Sequence, residues 1–496
     1  MRLGLAVPLV MASVLIGAPA SAASLPALPT EVRVNIGGLG FSYVVLSSTG
    51  TLSAIAPDGT LLYRGDGKVV ARTNVRSIRA SGIELPPRQS AGSMSPEERA
   101  DRAALRRDAR LAVADSGPRA VLTVPFQVSL LQTGGDEQGT VALQSDTIQA
   151  VKLRTNDGLL MVNGHPYRGT FELVADDEGD MTVVNVVSTH DYLASVVGSE
   201  VPSSWENEML AAQAIAARTY LQTHLGRHKS YDLEGDTRDQ QYDGTVKEDP
   251  RTLRAVERTA GVIATYRGSP IEALYSANAG GITEDSENVF ANALPYLRSV
   301  ASPSDIVARD SSWGASSWEW TRELSATQLR DFLQKRGVTV GTPTGVQLTS
   351  VSSTGRVITA KIFGTAGSYD VGKDRSRYYF GLLSSLFTVA VTPTGANERV
   401  AAANDARIAA LDALGAHVIQ TSFELLLDAN GNELGLRPTG YVYELPARFI
   451  FTGKGFGHGV GMSQWGAQGM ALNGATYAQI LAHYYQGIAL TPVGGG

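Results

Sequence analysis

One carboxylate stands in a position that could hold it for chemistry. Glu200 closes the apolar run Tyr192-Leu193-Ala194-Ser195-Val196-Val197-Gly198-Ser199 and is followed by Val201-Pro202. Ser203 and Glu206 have the S-x-x-E spacing of a capping box, which predicts a helix from about Ser204. Pro202 narrows the conformations open to Val201, so the approach to that helix is stiff. An acid on a rigid corner could protonate a leaving oxygen, the step that glycosidic cleavage requires. Spacing alone leaves that role open, because most loop glutamates are simply solvated.

Two glycine-rich segments could line a groove around such an acid. Ile271 to Ser276 reads as a strand that opens into Ala277-Asn278-Ala279-Gly280-Gly281-Ile282-Thr283-Glu284, where adjacent glycines allow close approach of a ligand or form a plain hairpin turn. From Gly453 to Gly461 glycine occupies every second position. If that segment is extended, one face is bare backbone, open to another chain or a polymer, and the other carries Lys454, Phe456, His458 and Val460. The strand–G-x-x-x-x-G-K-[ST]–helix pattern of a phosphate cradle is absent. So are H-E-x-x-H and G-x-S-x-G, and the seven histidines do not fall at metal-ligand spacing. The residue types suit a long groove for a neutral or zwitterionic polymer. Trp313, Trp318 and Trp320 read as local packing in preference to a carbohydrate platform.

The elements that must position these residues are mixed in type. Residues 209–223 form an alanine-rich helix with small side chains on most faces, which predicts burial and makes Gln213 and Arg218 awkward. They either tie neighbouring loops together or line a polar groove, and for Arg218 the tie is the stronger reading. A polar loop at 230–250 carries Asp236, Gln240, Tyr242 and Gly244, and a second helix follows within 252–266. Alternating strands are expected over 31–65, 120–187 and 339–387. A charged helix at 96–113, started by Ser95, Pro96 and Glu98, reads as a surface insertion. The composition shift at 391–444 reads as another insertion, helical over 397–414. Thr476 and Gln479 form a capping box for the last helix, with Gly487 as its stop.

Composition bounds the partners. The formal charge of −6 over 496 residues gives nucleic acid no basic footprint. With no cysteine there is neither a disulfide nor a thiolate nucleophile. Met1-Arg2, the apolar stretch to Ala18 and Ala20-Ser21-Ala22 read as a signal peptide cleaved near Ala22, so the mature chain is expected to be exported to the envelope or beyond; an uncleaved anchor is the rival reading.

Three separated blocks, in order, resemble the SpoIID/LytB family. They are Asp191-Tyr192-Leu193 through Ser199-Glu200-Val201-Pro202 and Trp205 to Gln213-Ala214-x-Ala216-Ala217-Arg218-Thr219-Tyr220; Ser276-Ala277 with Gly280-Gly281-x-Thr283; and Gly455-Phe456-Gly457-His458-Gly459-Val460-Gly461-Met462-Ser463-Gln464-Trp465-Gly466-Ala467. The resemblance covers about residues 159–490. It implies an α+β fold, a SpoIID-like core of antiparallel strands around the alanine-rich helix. The domain scheme it suggests is a signal peptide (1–22), an N-terminal β-rich domain with a charged helical insertion (23–155), the core (156–390), an insertion (391–444) and the C-terminal part of the core (445–496).

The best-known members are lytic transglycosylases that cut peptidoglycan glycan strands stripped of their stem peptides, and Glu200 falls where the family carries its catalytic acid. A second branch enhances a cell-wall amidase without cutting glycan, so an amidase is a possible partner. By the same resemblance Gln213, Arg218, Tyr242, Ser276, Gly280, Gly281, Thr283, His458, Ser463, Gln464 and Trp465 are expected to bind substrate. The acid would need its pKa raised, with Val196, Val197, Val201 and Trp205 as the apolar wall. If a second carboxylate were needed, Glu284 is the candidate. Some spore-forming members hold zinc through cysteines in the loop after the helix. The matching loop here, 236–244, has none, so neither zinc nor any cofactor is expected, and a sporulation role does not carry over.

Overall fold

In the computed structural model the described residues are 25–37, 43–56, 59–65, 68–73, 79–80, 83–84, 128–133, 140–142, 150–156, 158–175, 181–228, 230–392, 395, 397–413 and 416–493. The expected signal peptide and the expected helix at 96–113 lie outside them. The fold is α+β.

Alternation of apolar and polar residues builds a seven-stranded sheet. Its order is Leu233–Glu234, Glu31–Asn35, Met181–Ser188, Thr170–Ala175, Ala150–Thr155, Leu52–Ile55 and Leu61–Gly65. All neighbours run antiparallel except Leu233–Glu234, which is parallel to Glu31–Asn35. The inward residues Val32, Val34, Leu153, Phe171, Leu173 and Val183 are fully buried. Residue 155, where the sequence suggested a boundary, falls inside this sheet: Ala150–Thr155 pairs with Leu52–Ile55 on one side and Thr170–Ala175 on the other. Strands of both expected domains therefore close over one core, which local composition does not register.

Two helices pack on that core. Helix α1 (Thr189–Glu200) continues directly from strand Met181–Ser188, and α2 (Asn207–His224) follows it; α3 (Pro250–Arg258) packs across both. In α2, residues Met209 to Leu221 are buried without exception, as the small side chains implied. The C-terminal helices α4 (Gln464–Leu472) and α5 (Tyr477–Tyr484) return to the same core. Thr476 and Gln479 do make the reciprocal capping box of α5.

A second core is built by strands Glu319–Ser325, Arg448–Lys454 and Phe387–Thr392 with Phe380, Phe449 and Phe451 inside. Phe387–Thr392 and Arg448–Lys454 are hydrogen-bonded neighbours, with Thr392 opposite Arg448. The chain between them leaves and returns at one place and forms its own three-stranded sheet around Val400, Leu411 and Tyr443. Only part of 397–414 is helical: Asn397–Ala401 is a strand and Asp405–Ala413 the helix. Val400 is buried there against Tyr443, and that packing outweighs the alanine content.

Candidate active site

The corner that carries Glu200 is built differently from the expectation. The apolar run is itself helix α1, capped at its start by the Ser188 hydroxyl, which accepts the Asp191 N–H at 3.0 Å. Tyr192, Leu193, Val196 and Val197 recur at helical spacing and are all buried. Val201 is extended, with φ −140°, as the residue before a proline should be, and the helix ends at Glu200. Pro202 thus stops one helix instead of stiffening the entry to the next. The expected capping box of Ser203 and Glu206 does not form: α2 has Glu206 itself at its N-cap, without a side-chain cap bond. Its backbone N–H instead donates to Gln468 Oε1 of α4 at 2.9 Å, a tertiary partner that the spacing could not reveal.

Glu200 is half-buried, with an accessible edge. Its Oε1 accepts the Gln241 N–H at 2.9 Å and its Oε2 accepts Gln464 Nε2 at 3.3 Å. The Tyr275 hydroxyl is a third donor group near it and favours its anion. Burial raises the carboxyl above the ordinary glutamate range, Asp243 nearby adds to the rise, and the three donors pull the other way; burial wins. The last turn of α1 points the same way, since a helix C-terminus disfavours an anion. A partly accessible residue whose carboxyl is shifted toward its protonated form is a competent general acid.

The donors are held by a chain of contacts. Tyr192, buried on α1, donates to Gln240 Oε1 at 3.0 Å, and Gln240 Nε2 donates to the Tyr275 oxygen at 3.0 Å. The loop that carries Gln240 and Gln241 is pinned to α1: Ser195 Oγ donates to the Gly244 carbonyl at 2.5 Å, and Ser199 Oγ accepts the Asp243 N–H at 3.2 Å. Gly198 has no room for a side chain, because a Cβ there would strike the Lys247 carbonyl.

The glycine-rich run after Lys454 is not extended. Gly455, Gly457, Gly459 and Gly461 have φ of +82°, +106°, +74° and +75°, a region that glycine alone enters freely. Their bare sides face protein: a Cβ would meet the 278–280 backbone at Gly455, Ser276 at Gly457, the Arg356 guanidinium at Gly459 and the Leu274 carbonyl at Gly461. Alternating glycine therefore serves to seat this loop on residues 274–280, not to offer a bare face to a polymer. Asn278 and Phe456 exchange backbone hydrogen bonds at the contact.

Of the residues expected to bind substrate, only Gln464 touches Glu200, and Trp465 lies next to it. Arg218 is sealed, its guanidinium donating to the carbonyls of Val256, Thr259 and Val262 at 2.8–3.2 Å; it is a tie between α2 and the chain after α3. Burial without an anionic partner pushes that guanidinium down to about 10. Gln213 is fully buried and its amide has no protein partner. Tyr242 is also buried, donating to Asn185 Oδ1 at 2.6 Å. Ser276 Oγ accepts the Gly459 N–H at 3.2 Å, and Ser463 Oγ accepts the Ala279 N–H at 3.1 Å while donating to Asp305. Gly281 N–H donates to Asp305 at 2.9 Å, Gly280 packs on Leu386 and Lys454, and Thr283 is buried beside Val300. Apart from the unpartnered Gln213 amide, the side chains among these residues are buried and bonded within the protein, a state that follows from packing the motif does not state.

His458 is half-buried. Its Nδ1 accepts the Val460 N–H at 3.0 Å, which leaves Nε2 to carry the proton of the neutral ring. Burial pushes the ring down to about 4, so it is uncharged at neutral pH. Glu284 is completely buried and accepts bonds from Ser352, Thr354, Asp285 and Asn288, so it is not available as a second carboxylate. In the loop 230–244, Asp236 and Glu234 are paired with Arg238, and Asp239 with Arg227. Tyr275 and Gln241 were missed from sequence. Tyr275 immediately precedes the Ser276-Ala277 block, which is the one signal that could have flagged it; Gln241 acts through its backbone, which no residue type announces.

The tryptophans divide. Trp320 donates to the Gly455 carbonyl at 2.9 Å and Trp318 lies under Lys454 Nζ at 5.0 Å, both packing roles. Trp313 instead packs with Trp205 and Trp465 and stays 57% exposed.

Comparison with known proteins places this site in context. Residues 177–266, which hold α1, Glu200, α2 and the pinned loop, match the family model described as Stage II sporulation protein. An uncharacterized protein of Brachyspira hyodysenteriae is 29% identical over 68% of this chain and 76% of its own length. The Stage II sporulation protein D of Bacillus amyloliquefaciens is 29% identical over 62% of this chain and 75% of its own. The amidase enhancer of Bacillus subtilis is 29% identical over 60% of this chain, which spans only 40% of that longer protein.

Proposed function

The chain belongs to the SpoIID/LytB family, and from that premise we propose that it is an exported cell-wall enzyme that cuts peptidoglycan glycan strands without consuming water. The observation that carries this reading is the state of Glu200: half-buried, raised in pKa by burial, and held by hydrogen bonds from Gln241 and Gln464. Protonated, it donates to the glycosidic oxygen between N-acetylmuramic acid and N-acetylglucosamine, and the C1–O bond breaks as that oxygen leaves as a hydroxyl. The resulting carboxylate accepts the proton of the muramyl C6 hydroxyl as that oxygen closes on C1. The products are a new N-acetylglucosamine end and a 1,6-anhydromuramyl end. Charge balances within one carboxyl, which is protonated again at the end of the cycle.

The neighbouring donors favour the carboxylate formed after the first transfer, while burial shifts the resting group toward its protonated form; the same residue can then act as acid and base. The burial of Glu284 among four donors supports a single-carboxylate route over the paired carboxylates of most glycoside hydrolases. Asp243 is the other carboxylate that Glu200 feels, and it is engaged by Gln241 Nε2 at 2.8 Å.

A second reading is favoured by the relative named amidase enhancer: a wall-binding protein that stimulates an amidase and cleaves nothing itself. Purified mature protein and its Glu200→Gln variant, incubated with stem-peptide-free glycan strands, separate the two. Anhydromuramyl ends from the wild type and not from the variant are expected. Intact strands with both proteins, together with equal stimulation of an amidase by both, would establish the second reading instead.

A further inference from the structure

We propose that Trp313, backed by Trp205 and Trp465, is a sugar-stacking subsite beside Glu200 that takes the apolar face of an N-acetylhexosamine ring of the glycan. This rests on the glycan-cleaving reading above and specifies how that groove grips its substrate.

The three indoles form one cluster, with centroids 4.7 Å apart for Trp205–Trp465 and for Trp313–Trp465, and 6.1 Å for the stacked pair Trp205–Trp313. Trp205 and Trp465 are buried, at 7% and 5% exposure, whereas Trp313 remains 57% exposed. A tryptophan recruited only for packing would be expected to hide more of its large apolar surface. Its neighbour Gly314 packs on the Trp465 ring, where any Cβ would collide with it. An exposed aromatic with few rotatable bonds loses little conformational entropy when a flat ligand settles on it.

The cluster adjoins the acid along two chain segments. Trp465 follows Gln464, whose Nε2 reaches Glu200 Oε2 at 3.3 Å. Trp205 closes the turn after α1, its N–H donating to the Pro202 carbonyl at 3.1 Å. The exposed residues flanking Trp313 in the chain are Ser312, Ala315 and Ser316, small and uncharged, with Arg309 and Asp310 paired to each other just before them. Such flanks suit a neutral sugar with an apolar face and hydroxyl edges.

The test uses the full mature chain carrying Glu200→Gln, so that glycan binds without turnover, and measures binding of soluble stem-peptide-free glycan fragments by calorimetry. Adding Trp313→Ala is expected to weaken binding roughly tenfold, from the apolar area removed, while Trp313→Phe keeps most of it and the melting temperature of both stays near the parent's. In the active protein Trp313→Ala should raise KM more than it lowers kcat. Unchanged binding by the Trp313→Ala protein, with the parent binding normally, overturns the subsite and leaves the cleavage reading standing. A melting temperature lowered as far as by Trp465→Ala would show Trp313 to be packing only and also overturns it. A parent that binds no glycan overturns both, and unchanged glycan binding with lost stimulation of an amidase would reassign the face to a protein partner.

Discussion

At the scale of the residue, Glu200 is governed by two opposed influences, burial that raises its pKa and neighbouring donors that favour its anion. Removing one donor tips the balance in a known direction. Tyr275→Phe leaves the ring but removes the hydroxyl that favours the carboxylate, so the Glu200 pKa rises further. A general acid works while protonated, and activity therefore falls as pH rises through its pKa. In Tyr275→Phe that falling limb should move to higher pH, with a lower maximum rate because the anion formed after proton transfer is less stabilised; a pH–rate profile on stem-peptide-free strands measures both. An unmoved limb would mean that Tyr275 does not act on Glu200. Glu200 and Gln464 were legible as residue types in recurring blocks. Gln241 and Tyr275 were not, because they reach the carboxylate only after the 236–247 loop has wrapped around α1 and the 274–280 segment has been seated by the glycine run.

At the scale of the element, helix spacing was legible and helix ends only in part: the Thr476–Gln479 capping box forms, the Ser203–Glu206 box does not. The buried alanine-rich α2 follows from its composition, yet positions 192–197 within α1 read only as an apolar run, since six residues cannot separate a strand from a buried helix. The glycine alternation had a similar ambiguity. A period of two fits a strand, but positive φ at four glycines produces a coiled loop with the same spacing. Arg218 is the clearest case of an element tie that motif reasoning assigns to substrate. Arg218→Ala strands the carbonyls of Val256, Thr259 and Val262 in a buried site and should cost about 3 kcal/mol of stability. Denaturant unfolding measures the loss. The folded fraction of the variant should bind glycan as the parent does; weakened binding at full stability would return Arg218 to the groove.

At the scale of the molecule, the acid depends on strands far apart in sequence. The sheet that launches α1 joins 31–35 to 181–188 and 52–55 to 150–155, and α4 brings Gln464 back to Glu200 from 264 residues away. Short-range pattern found many of these strands but not their partners, because pairing over such separations is decided by the closing of a shared core. By contrast, the unit between Thr392 and Arg448 adds its own sheet at a point where the flanking strands already pair. Joining Gly395 to Leu445, which already meet through a backbone hydrogen bond, removes most of that unit. The shortened protein should stay folded and retain glycan cleavage within a few-fold, because neither the Glu200 donors nor α1 contacts it; loss of cleavage with intact folding would place part of the groove in that unit.

The central claim is that one carboxyl, Glu200, breaks the glycosidic bond by internal ring closure with no water taken up. Digesting stem-peptide-free glycan strands in water enriched in oxygen-18 and weighing the products by mass spectrometry tests it directly. Anhydromuramyl ends free of the label, formed by the wild type and not by Glu200→Gln, are expected. Reducing muramyl ends that carry oxygen-18 would contradict it, and would point to a hydrolase with Asp243 as the second carboxylate.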